Sequence, residues 1–227
     1  MESAELSLRR QLIELCRSFG PRRLSQGSSG NASVRFPLDR PAQSASEAAG
    51  MLITPSALPY ASMRPADIVW VGVDGTRRGK RPPSSEWRFH QAVFAARADV
   101  GAIVHVHSPA ATALACLRLP IPPFHYMVAV AGGHDIRCAP YATFGTEELA
   151  TAVVAALDGR GAALLANHGQ IATGATLTAA LDLAVEVETL AEQYLLARTV
   201  GEPKRLTARQ MDQVQARFID YRRGTLQ

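Results

Sequence analysis

Two histidines separated by one residue, His105 and His107, end the apolar run 100–107, which reads V-G-A-I-V-H-V-H. Its β-branched residues and lack of charge predict a buried strand. Alternate side chains of a strand point to the same face, so the two imidazoles share one side and can chelate a metal ion. The pattern alone also fits two hydrogen-bonded histidines at a strand end, because buried ring nitrogens need polar partners.

A third candidate ligand, His168, follows the apolar run 162–166 and precedes Gly169. A histidine at the end of a buried strand, beside a turn glycine, is well placed to join the first two. The other histidines are less favourable. His90 lies within a predicted helix and is expected to be packed or at the surface, and His134 follows two glycines in a polar turn.

Glu86 follows Ser84 and Ser85 at the start of a predicted helix over residues 86–98. Serine is a favoured N-cap and an acidic residue suits the first turn, so a purely structural role explains all three residues. The same physics supports a functional role, because a helix N-terminus binds anions and two hydroxyls there can hold a phosphate. Glu86 is then a carboxylate near the metal.

Small and polar residues fill the segment 25–33, S-Q-G-S-S-G-N-A-S. Glycines and hydroxylic residues allow backbone N–H groups to surround an anion, so Gly30 and Asn31 are candidates for phosphate contact. An ordinary Gly/Ser/Asn turn is the alternative. The segment 51–57, a short predicted strand followed by a turn, adds the hydroxyl of Ser56.

The composition favours a globular α/β domain. The chain has 227 residues, of which 47% are hydrophobic and 19% charged, enough apolar material for a sizeable core and too little charge for disorder. The net charge of +4 comes from scattered arginines without an aromatic platform, so nucleic-acid binding is a weak hypothesis. A mild positive balance suits an anionic small substrate.

The cysteines and apolar runs bear on location. Cys16, Cys116 and Cys138 are odd in number and far apart, which does not indicate a disulfide framework or a zinc ribbon, so we expect a reducing cytosol. The charged start of the sequence does not resemble a signal peptide, and no apolar run is long enough to cross a membrane. The expected localisation is therefore cytoplasmic.

Hydrophobic periodicity predicts alternating helices and strands. The predicted helices cover 4–19, 86–98, 110–117, 147–157, 176–199 and 207–223. The predicted strands lie at 34–36, 51–57, 68–73, 100–107, 124–133, 162–166 and 171–173. The polar segment Pro37–Gly50 has no periodicity and is predicted to be a surface loop, and residues 207–227 form a C-terminal helix and tail.

The motifs G-N-x-S, T-P-S, S-S-E, H-x-H, H-Y-M and N-H-G follow one another over almost the whole sequence. This set resembles the class II aldolase/adducin family, above all its L-fuculose-phosphate aldolase branch, in the stretches 83–90, 125–127 and 138–146. The resemblance implies a single domain over 1–227 with a three-layer α/β/α fold around a central, largely antiparallel or mixed sheet. It also implies a homotetramer with sites between subunits.

The resemblance assigns roles by position. The ligands that it implies for one Zn²⁺ per subunit are Glu86, His105, His107 and His168. The phosphate-binding residues that it implies are Gly30, Asn31, Ser56, Ala57, Ser84 and Ser85. Glu86 is in addition the implied catalytic acid/base. Tyr126 passes a proton to the aldehyde oxygen, Tyr221 closes over the site, and Phe144 lines it.

One departure from the family pattern falls at the implied phosphate site. The family usually has glycine where this chain has Ala57. A methyl group at this position is expected to crowd the phosphate or to forbid a positive φ. The loop over Pro37–Gly50 is also longer than in similar sequences. Phosphate placement is therefore less firmly predicted than the metal site.

Carbon–carbon cleavage requires stabilisation of a carbanion. Lys80 and Lys204, the only lysines, lie in polar stretches that do not suit a desolvated Schiff base. A Lewis-acid metal is the alternative, and three imidazoles with one displaceable carboxylate form a site that zinc accepts. The resulting hypothesis is a zinc-dependent aldolase that cleaves a ketose 1-phosphate, such as L-fuculose 1-phosphate, into dihydroxyacetone phosphate and a short aldehyde such as lactaldehyde.

Competing functions remain open at this stage. A sugar-phosphate 4-epimerase of the same fold typically has aspartate at the position of Glu86, whereas a phosphorylated sugar-acid decarboxylase keeps glutamate. A methylthioribulose-phosphate dehydratase is more distant. A non-catalytic adducin-like module is expected to lack the three histidines, and an H-x-H metallohydrolase would need further ligands for a second metal.

Overall fold

The strands and helices alternate along the chain. The structure, a computed structural model, describes residues 3–37 and 49–223. The strands are β1 (Asn31–Arg35), β2 (Gly50–Ile53), β3 (Val69–Gly72), β4 (Arg77–Arg78), β5 (Ala102–Val106), β6 (Cys138–Ala139), β7 (Ala162–Leu165) and β8 (Gly169–Gly174). The α-helices are α1 (Ala4–Arg17), α2 (Trp87–Ala96), α3 (Pro109–Cys116), α4 (Glu147–Ala156), α5 (Leu177–Val200) and α6 (Ala208–Arg223). The loop predicted over Pro37–Gly50 lies largely outside the described residues, and Gly50 already belongs to β2.

All eight strands join one sheet in the order β4-β3-β2-β1-β5-β8-β7-β6. Every neighbouring pair is antiparallel except β6 and β7, which are parallel, so the predicted mixed and largely antiparallel sheet is confirmed. The strand β5 occupies a central place between β1 and β8. In this register His105 faces Asn31 on one side and Ile171 on the other.

Helices cover both faces of the sheet. Ala102, Val104 and Val106 of β5 point to the face that is packed by α1, α3 and α5, while Ile103 points to the face that is packed by α2 and α4. This alternation follows from the two-residue period of a strand, and each fully buried isoleucine or leucine contributes about 1.5–3 kcal/mol. His105 falls on the second face, where its ring meets Phe89 of α2 at 5.3 Å.

The helix α5 is the longest in the described part of the chain, at 24 residues. The hydroxyl of Thr176 caps it by accepting a hydrogen bond from the backbone N–H of Ala179 at 3.2 Å. Its charged residues, among them Asp182, Glu186 and Glu192, lie outside the buried face. Among the residues that the structure describes, neither this helix nor any other is both long and apolar enough to cross a membrane.

The prediction of a strand over 124–133 is wrong. Tyr126–Ala131 forms a 3₁₀ helix instead. Its start is capped by His125, whose Nδ1 accepts a hydrogen bond from the backbone N–H of Met127 at 3.2 Å. Gly132 ends it with a φ of 90°. Local capping at both ends therefore overrides the strand preference of the apolar run.

Candidate active site

Four side chains from three distant parts of the chain meet on the α2 side of the sheet, and their ligand atoms all lie within 4.8 Å of one another. The Nε2 atoms of His105 and His107 are 3.0 Å apart. The carboxylate of Glu86 reaches two imidazoles, with Oε2 at 3.2 Å from Nε2 of His105 and Oε1 at 3.1 Å from Nε2 of His168. The predicted cluster is thus brought together.

The local fold explains how the histidines converge. His105 lies on β5 and His107 just beyond its end, two residues further on the same face. His168 lies in the turn between β7 and β8. Asn167 adopts a φ of 55° there, which asparagine tolerates better than most residues. Glycine is needed at position 169, because a Cβ atom there would lie 2.8 Å from the ring of His107.

Hydrogen bonding prepares His105 as a ligand. Its Nδ1 lies 2.8 Å from the backbone oxygen of Gln170, so the ring donates its proton there. Its Nε2 is the ring atom that is directed at the cluster and could bind a metal. Burial, followed by the charges of His105 and His168, lowers the pKa of His107 to about 3, so His107 is neutral at physiological pH. Neutral imidazoles are the form that binds metals.

Glu86 is buried and ionised. Burial alone raises the pKa of its carboxyl group, but the nearby imidazoles of His105 and His168 favour the ionised form, outweigh burial and hold the pKa below its usual range. Its Oε2 also accepts a hydrogen bond from Nδ2 of Asn31 at 2.9 Å. Glu86 is the residue before α2, but its side chain does not cap the helix. The carboxylate is directed to the cluster instead.

The donor set fits one divalent metal ion. Zinc bonds of 2.0–2.2 Å to nitrogen and oxygen in tetrahedral geometry place neighbouring ligand atoms roughly 3.3–3.6 Å apart. Three separations among Glu86, His105, His107 and His168 are 3.0, 3.1 and 3.2 Å, only slightly shorter, and all the ligand atoms lie within 4.8 Å of one another. Three imidazoles and one carboxylate are also ligands that zinc accepts.

A cavity of about 360 Å³ opens beside the cluster. The predicted residues that line it are Gly30, Asn31, Ser56, Ala57, Ser84, Ser85, Glu86, His107, Phe144 and His168. The lining residues that sequence reasoning did not single out are Ser28, Ser29, Pro55, Tyr141, Ala142 and Asn167. Each of these is a near neighbour in sequence of a predicted residue, which is the signal that could have found them.

Backbone packing shapes one wall of this cavity. Gly30 has a φ of 98°, and a Cβ atom there would lie 2.8 Å from the backbone oxygen of His105. Only glycine therefore allows the segment to approach β5 so closely. The hydroxyl of Tyr60 lies 2.9 Å from the backbone oxygens of both Ser29 and Gly30, to which it donates.

The opposite wall joins two further segments. Pro55 and Pro83 form an isolated β-bridge. The backbone N–H of Ser84 donates to the oxygen of Thr54 at 2.9 Å, and that of Ser56 donates to Pro82 at 3.1 Å. Three predicted serines thereby line one cavity at the N-terminal end of α2. Hydroxyls and a helix N-terminus favour an anion.

Ala57 departs from the sequence expectation. Its φ is 52°, so the methyl group does not forbid the left-handed conformation. The residue is exposed at the cavity wall. A non-glycine residue pays about 1–2 kcal/mol for this backbone conformation. The chain thus retains the geometry that glycine would adopt, at a cost in stability.

The two implied tyrosines are not at the cavity of their own chain. Tyr126 is half exposed, and its ring centroid lies 6.3 Å from that of Phe218 on α6. Tyr221 is on the same helix and 72% exposed. Phe144, in contrast, lines the cavity and is 63% exposed. The roles of Tyr126 and Tyr221 therefore stay predictions.

Two other histidines have definite partners. His90 is packed, as one of the two expectations had it, and fully buried, with Nε2 2.6 Å from Oδ1 of Asn31. Sequence reasoning missed this contact, although the spacing of four residues from Glu86 places both at the start of α2. His134 is partly exposed, and its Nε2 lies 2.7 Å from a carboxylate oxygen of Asp212.

Comparison with known proteins gives consistent matches. A sequence profile described as the class II aldolase and adducin N-terminal domain matches residues 10–195. A 5-methylthioribulose-1-phosphate/5-deoxyribulose-1-phosphate aldolase of Rhodospirillum rubrum is 51% identical over 221 residues, covering 97% of this chain and 95% of the relative. An L-fuculose phosphate aldolase of Haemophilus influenzae is 42% identical over 222 residues, 97% of each chain. A solved L-fuculose 1-phosphate aldolase is 41% identical with a TM-score of 0.85, covering 96% of this chain and 98% of that one.

Proposed function

Because the chain belongs to the class II aldolase and adducin family and is a class II aldolase, we propose that it cleaves a ketose 1-phosphate into dihydroxyacetone phosphate and a short aldehyde. Aldolases of this class are metal-dependent, and their relatives act on sugar phosphates. The finer parts of the proposal are the ketose, zinc as the metal, and the roles of individual residues.

One observation carries the proposal. A metal-binding set of three imidazoles and a carboxylate opens into a cavity whose other wall consists of serines, a glycine and the N-terminal end of a helix. The first part suits a carbonyl and its neighbouring hydroxyl, and the second suits a phosphate. A ketose 1-phosphate carries these groups next to each other.

The phosphate would occupy the part of the cavity that is lined by the serines and the N-terminal end of α2. Asn31 offers its side-chain amide, and Ser84 and Ser85 offer hydroxyls beside the N-terminus of α2. Gly30 and Ser56 complete the proposed contacts. Binding at this end would orient the sugar so that its carbonyl faces the three histidines.

The bond to be broken joins the third and fourth carbons of the ketose, because dihydroxyacetone phosphate retains three. A bound Zn²⁺, held by His105, His107 and His168, would act as a Lewis acid toward the negative charge that develops on the three-carbon half. Glu86, after leaving the metal and taking up a proton from solvent, would deliver it to the third carbon in place of the broken bond. A positioned acid/base of this kind typically contributes ~10²–10⁴ in rate.

The departing aldehyde requires a second proton transfer. As the bond breaks, the hydroxyl on the fourth carbon must lose its proton to become the aldehyde oxygen. We assign this step to Tyr126 and the closure over the substrate to Tyr221. Neither side chain lines the cavity of its own chain, so both would come from a neighbouring subunit of the proposed homotetramer.

The aldehyde half has two candidates. L-fuculose 1-phosphate would yield lactaldehyde, as the 42%-identical relative suggests. The 51%-identical relative favours a pentulose 1-phosphate with deoxy or methylthio substitution at the fifth carbon. Both share the phosphate and the first three carbons. Glu86 stands where 4-epimerases of this fold typically have aspartate, which argues against epimerisation. Neither candidate ketose 1-phosphate is the sugar acid that a decarboxylase would require.

Metal analysis combined with an assay for dihydroxyacetone phosphate tests the proposal. We expect about one Zn²⁺ per chain, as three histidines imply, and chelator-sensitive release from at least one of L-fuculose 1-phosphate, 5-deoxyribulose 1-phosphate and 5-methylthioribulose 1-phosphate. Stoichiometric metal without release from any of them would move the assignment to decarboxylation or epimerisation. Absence of metal binding would overturn the proposed chemistry.

A further inference from the structure

Three buried side chains form a hydrogen-bonded series that begins at Glu86. Ser33, Asn31 and His90 are all buried. The Oγ of Ser33 lies 2.7 Å from Nδ1 of His90, and Nε2 of His90 lies 2.6 Å from Oδ1 of Asn31. The Nδ2 of Asn31 is 2.9 Å from Oε2 of Glu86. These contacts therefore form a continuous series from Ser33 of β1, through His90 of α2 and Asn31 of β1, to the carboxylate of Glu86.

Only one set of donors and acceptors satisfies this chain. An ionised Glu86 accepts hydrogen bonds and donates none, so Asn31 must present its NH₂ group to it. The carbonyl oxygen of Asn31 then faces His90, which must donate from Nε2. The Nδ1 of His90 is left as an acceptor for the hydroxyl proton of Ser33. Burial lowers the pKa of His90 to about 3, consistent with the single ring proton that this arrangement needs.

We propose that His90, with Ser33 behind it, is a positioning residue that fixes the amide of Asn31 and through it the orientation of the Glu86 carboxylate. The inference rests on the proposed role of Glu86 as metal ligand and acid/base. Without the donor at His90, the buried carbonyl oxygen of Asn31 loses its partner, so the amide is no longer held from both ends and its hydrogen bond to Oε2 of Glu86 is weakened.

A packing role is the competing explanation. His90 stacks on Phe89 with a centroid distance of 4.6 Å, so its ring fills space in the core. If packing were its whole contribution, an apolar side chain of similar size would preserve function, and any loss would follow loss of stability. A hydrogen-bonding role instead requires a donor near the Nε2 position. Glutamine provides one because its side-chain NH₂ can reach that place.

Four variants separate the explanations. His90→Leu removes the donor and keeps apolar bulk, while His90→Gln restores a donor. Val93→Ala, at a buried position one turn further along α2, controls for destabilisation of the helix. Ser33→Ala is a milder second test that keeps His90 in place and removes only its Nδ1 partner. Each full-length protein is measured for zinc affinity by competition with a chromogenic chelator, for thermal unfolding, and for kcat and KM.

We expect His90→Leu to lose roughly 10–100-fold in zinc affinity or in kcat, as is usual when a partner of a metal ligand is removed. His90→Gln should recover most of that loss, and Val93→Ala should unfold at lower temperature with both quantities unchanged. Wild-type zinc affinity and kcat in His90→Leu would overturn the inference. So would equal losses in His90→Gln and His90→Leu. Zinc affinity is read without any substrate, so failure of the proposed aldolase reaction would leave this comparison decisive.

Discussion

The Nε2 atoms of His105 and His107 face each other at a distance of 3.0 Å, at the end of β5 and beside the buried carboxylate of Glu86. Two unprotonated imidazole nitrogens repel at this distance, so a proton or a cation must lie between them. Nδ1 of His105 already donates to the backbone of Gln170, so one hydrogen carried by either Nε2 atom fills this gap when no metal is bound. A metal ion would replace that single proton with bonds to all the ligands.

Metal binding should therefore stabilise the fold. Zinc at 100 times its dissociation constant is expected to add about 2.7 kcal/mol to the free energy of unfolding, since the unfolded chain does not assemble the site. Thermal unfolding with zinc and with chelator measures this difference. In the variant His107→Ala the difference should shrink, and an undiminished zinc effect there would place the ion elsewhere.

Replacement of the proposed acid/base gives a second prediction. Glu86→Gln should still bind zinc through three histidines but should lose ~10²–10⁴ in turnover, the usual contribution of a general acid/base. Zinc content and release of dihydroxyacetone phosphate are measured on the same sample. Activity close to that of the wild type at full zinc content would remove Glu86 from the mechanism.

The backbone at Ala57 gives a third prediction. Ala57→Gly should relieve the strain of a φ of 52°, and after the entropy that glycine adds to the unfolded chain, a net stabilisation of about 0.5–1 kcal/mol is expected. Urea unfolding measures it. If the methyl group also crowds the phosphate, KM for the ketose 1-phosphate should fall.

A matched control for this change is Ala61→Gly, in the nearby 3₁₀ helix Tyr60–Ser62. Ala61 is not among the residues with a positive φ, so glycine should destabilise the protein there. Equal effects of the two glycine substitutions would contradict the strain at Ala57.

A partly exposed ion pair between Asp67 and Arg81 predicts a pH dependence of stability. The hydrogen bond from Arg81 at 2.7 Å lowers the pKa of Asp67; burial opposes this, but a hydrogen bond from the backbone of Arg64 reinforces it, and the pKa stays below its usual range. Because the folded pKa is depressed, this stabilisation is present above the unfolded pKa near 4 and is lost as pH falls through the folded value.

Asp67→Asn should accordingly cost about 1–2 kcal/mol at pH 7, a range that allows for the partial exposure of Arg81. The cost should shrink as the pH is lowered below 4. Urea unfolding of both proteins across this range checks the slope. A difference between them that does not change with pH would show that charge plays no part.

Mixing of inactive chains tests the proposed position of the site between subunits. Glu86→Gln and Tyr126→Phe are each expected to be nearly inactive. If Tyr126 acts on a neighbouring subunit, random reassembly of equal amounts should give about a quarter of the sites both wild-type groups. Recovered activity after denaturation and joint refolding supports this placement, and no recovery would mean that both residues serve the same chain.

The convergence of the four side chains could be predicted from the sequence because periodicity is local, while their role as metal ligands stays a prediction. The H-x-H spacing fixes the common face of His105 and His107 once the strand is recognised, and His168 follows a strand end that is equally clear. The three-layer fold, the mixed sheet and the family resemblance were confirmed. The assigned catalytic roles stay predictions.

Other features depend on contacts that a single sequence does not display. The strand predicted over 124–133 failed because hydrogen bonds around His125 and the positive φ at Gly132 decide that backbone. The bond between His90 and Asn31 joins residues 59 positions apart. Its existence follows from how α2 packs on the sheet, which no spacing within either segment encodes.

The pairing of Asn31 with His105 across β1 and β5 has a consequence for substrate length. Partners in an antiparallel ladder are held about 4.5–5.5 Å apart between Cα atoms, a span that loop movement does not change. If Asn31 holds the phosphate as proposed, backbone hydrogen bonds set the distance between the phosphate end and the reacting end of the substrate. A substrate with one extra carbon between its phosphate and its carbonyl group would not fit this fixed distance. Tyr141 and Phe144 line the same cavity from an irregular segment, so new acceptor aldehydes can be sought by changing that segment while the β1–β5 pairing stays intact.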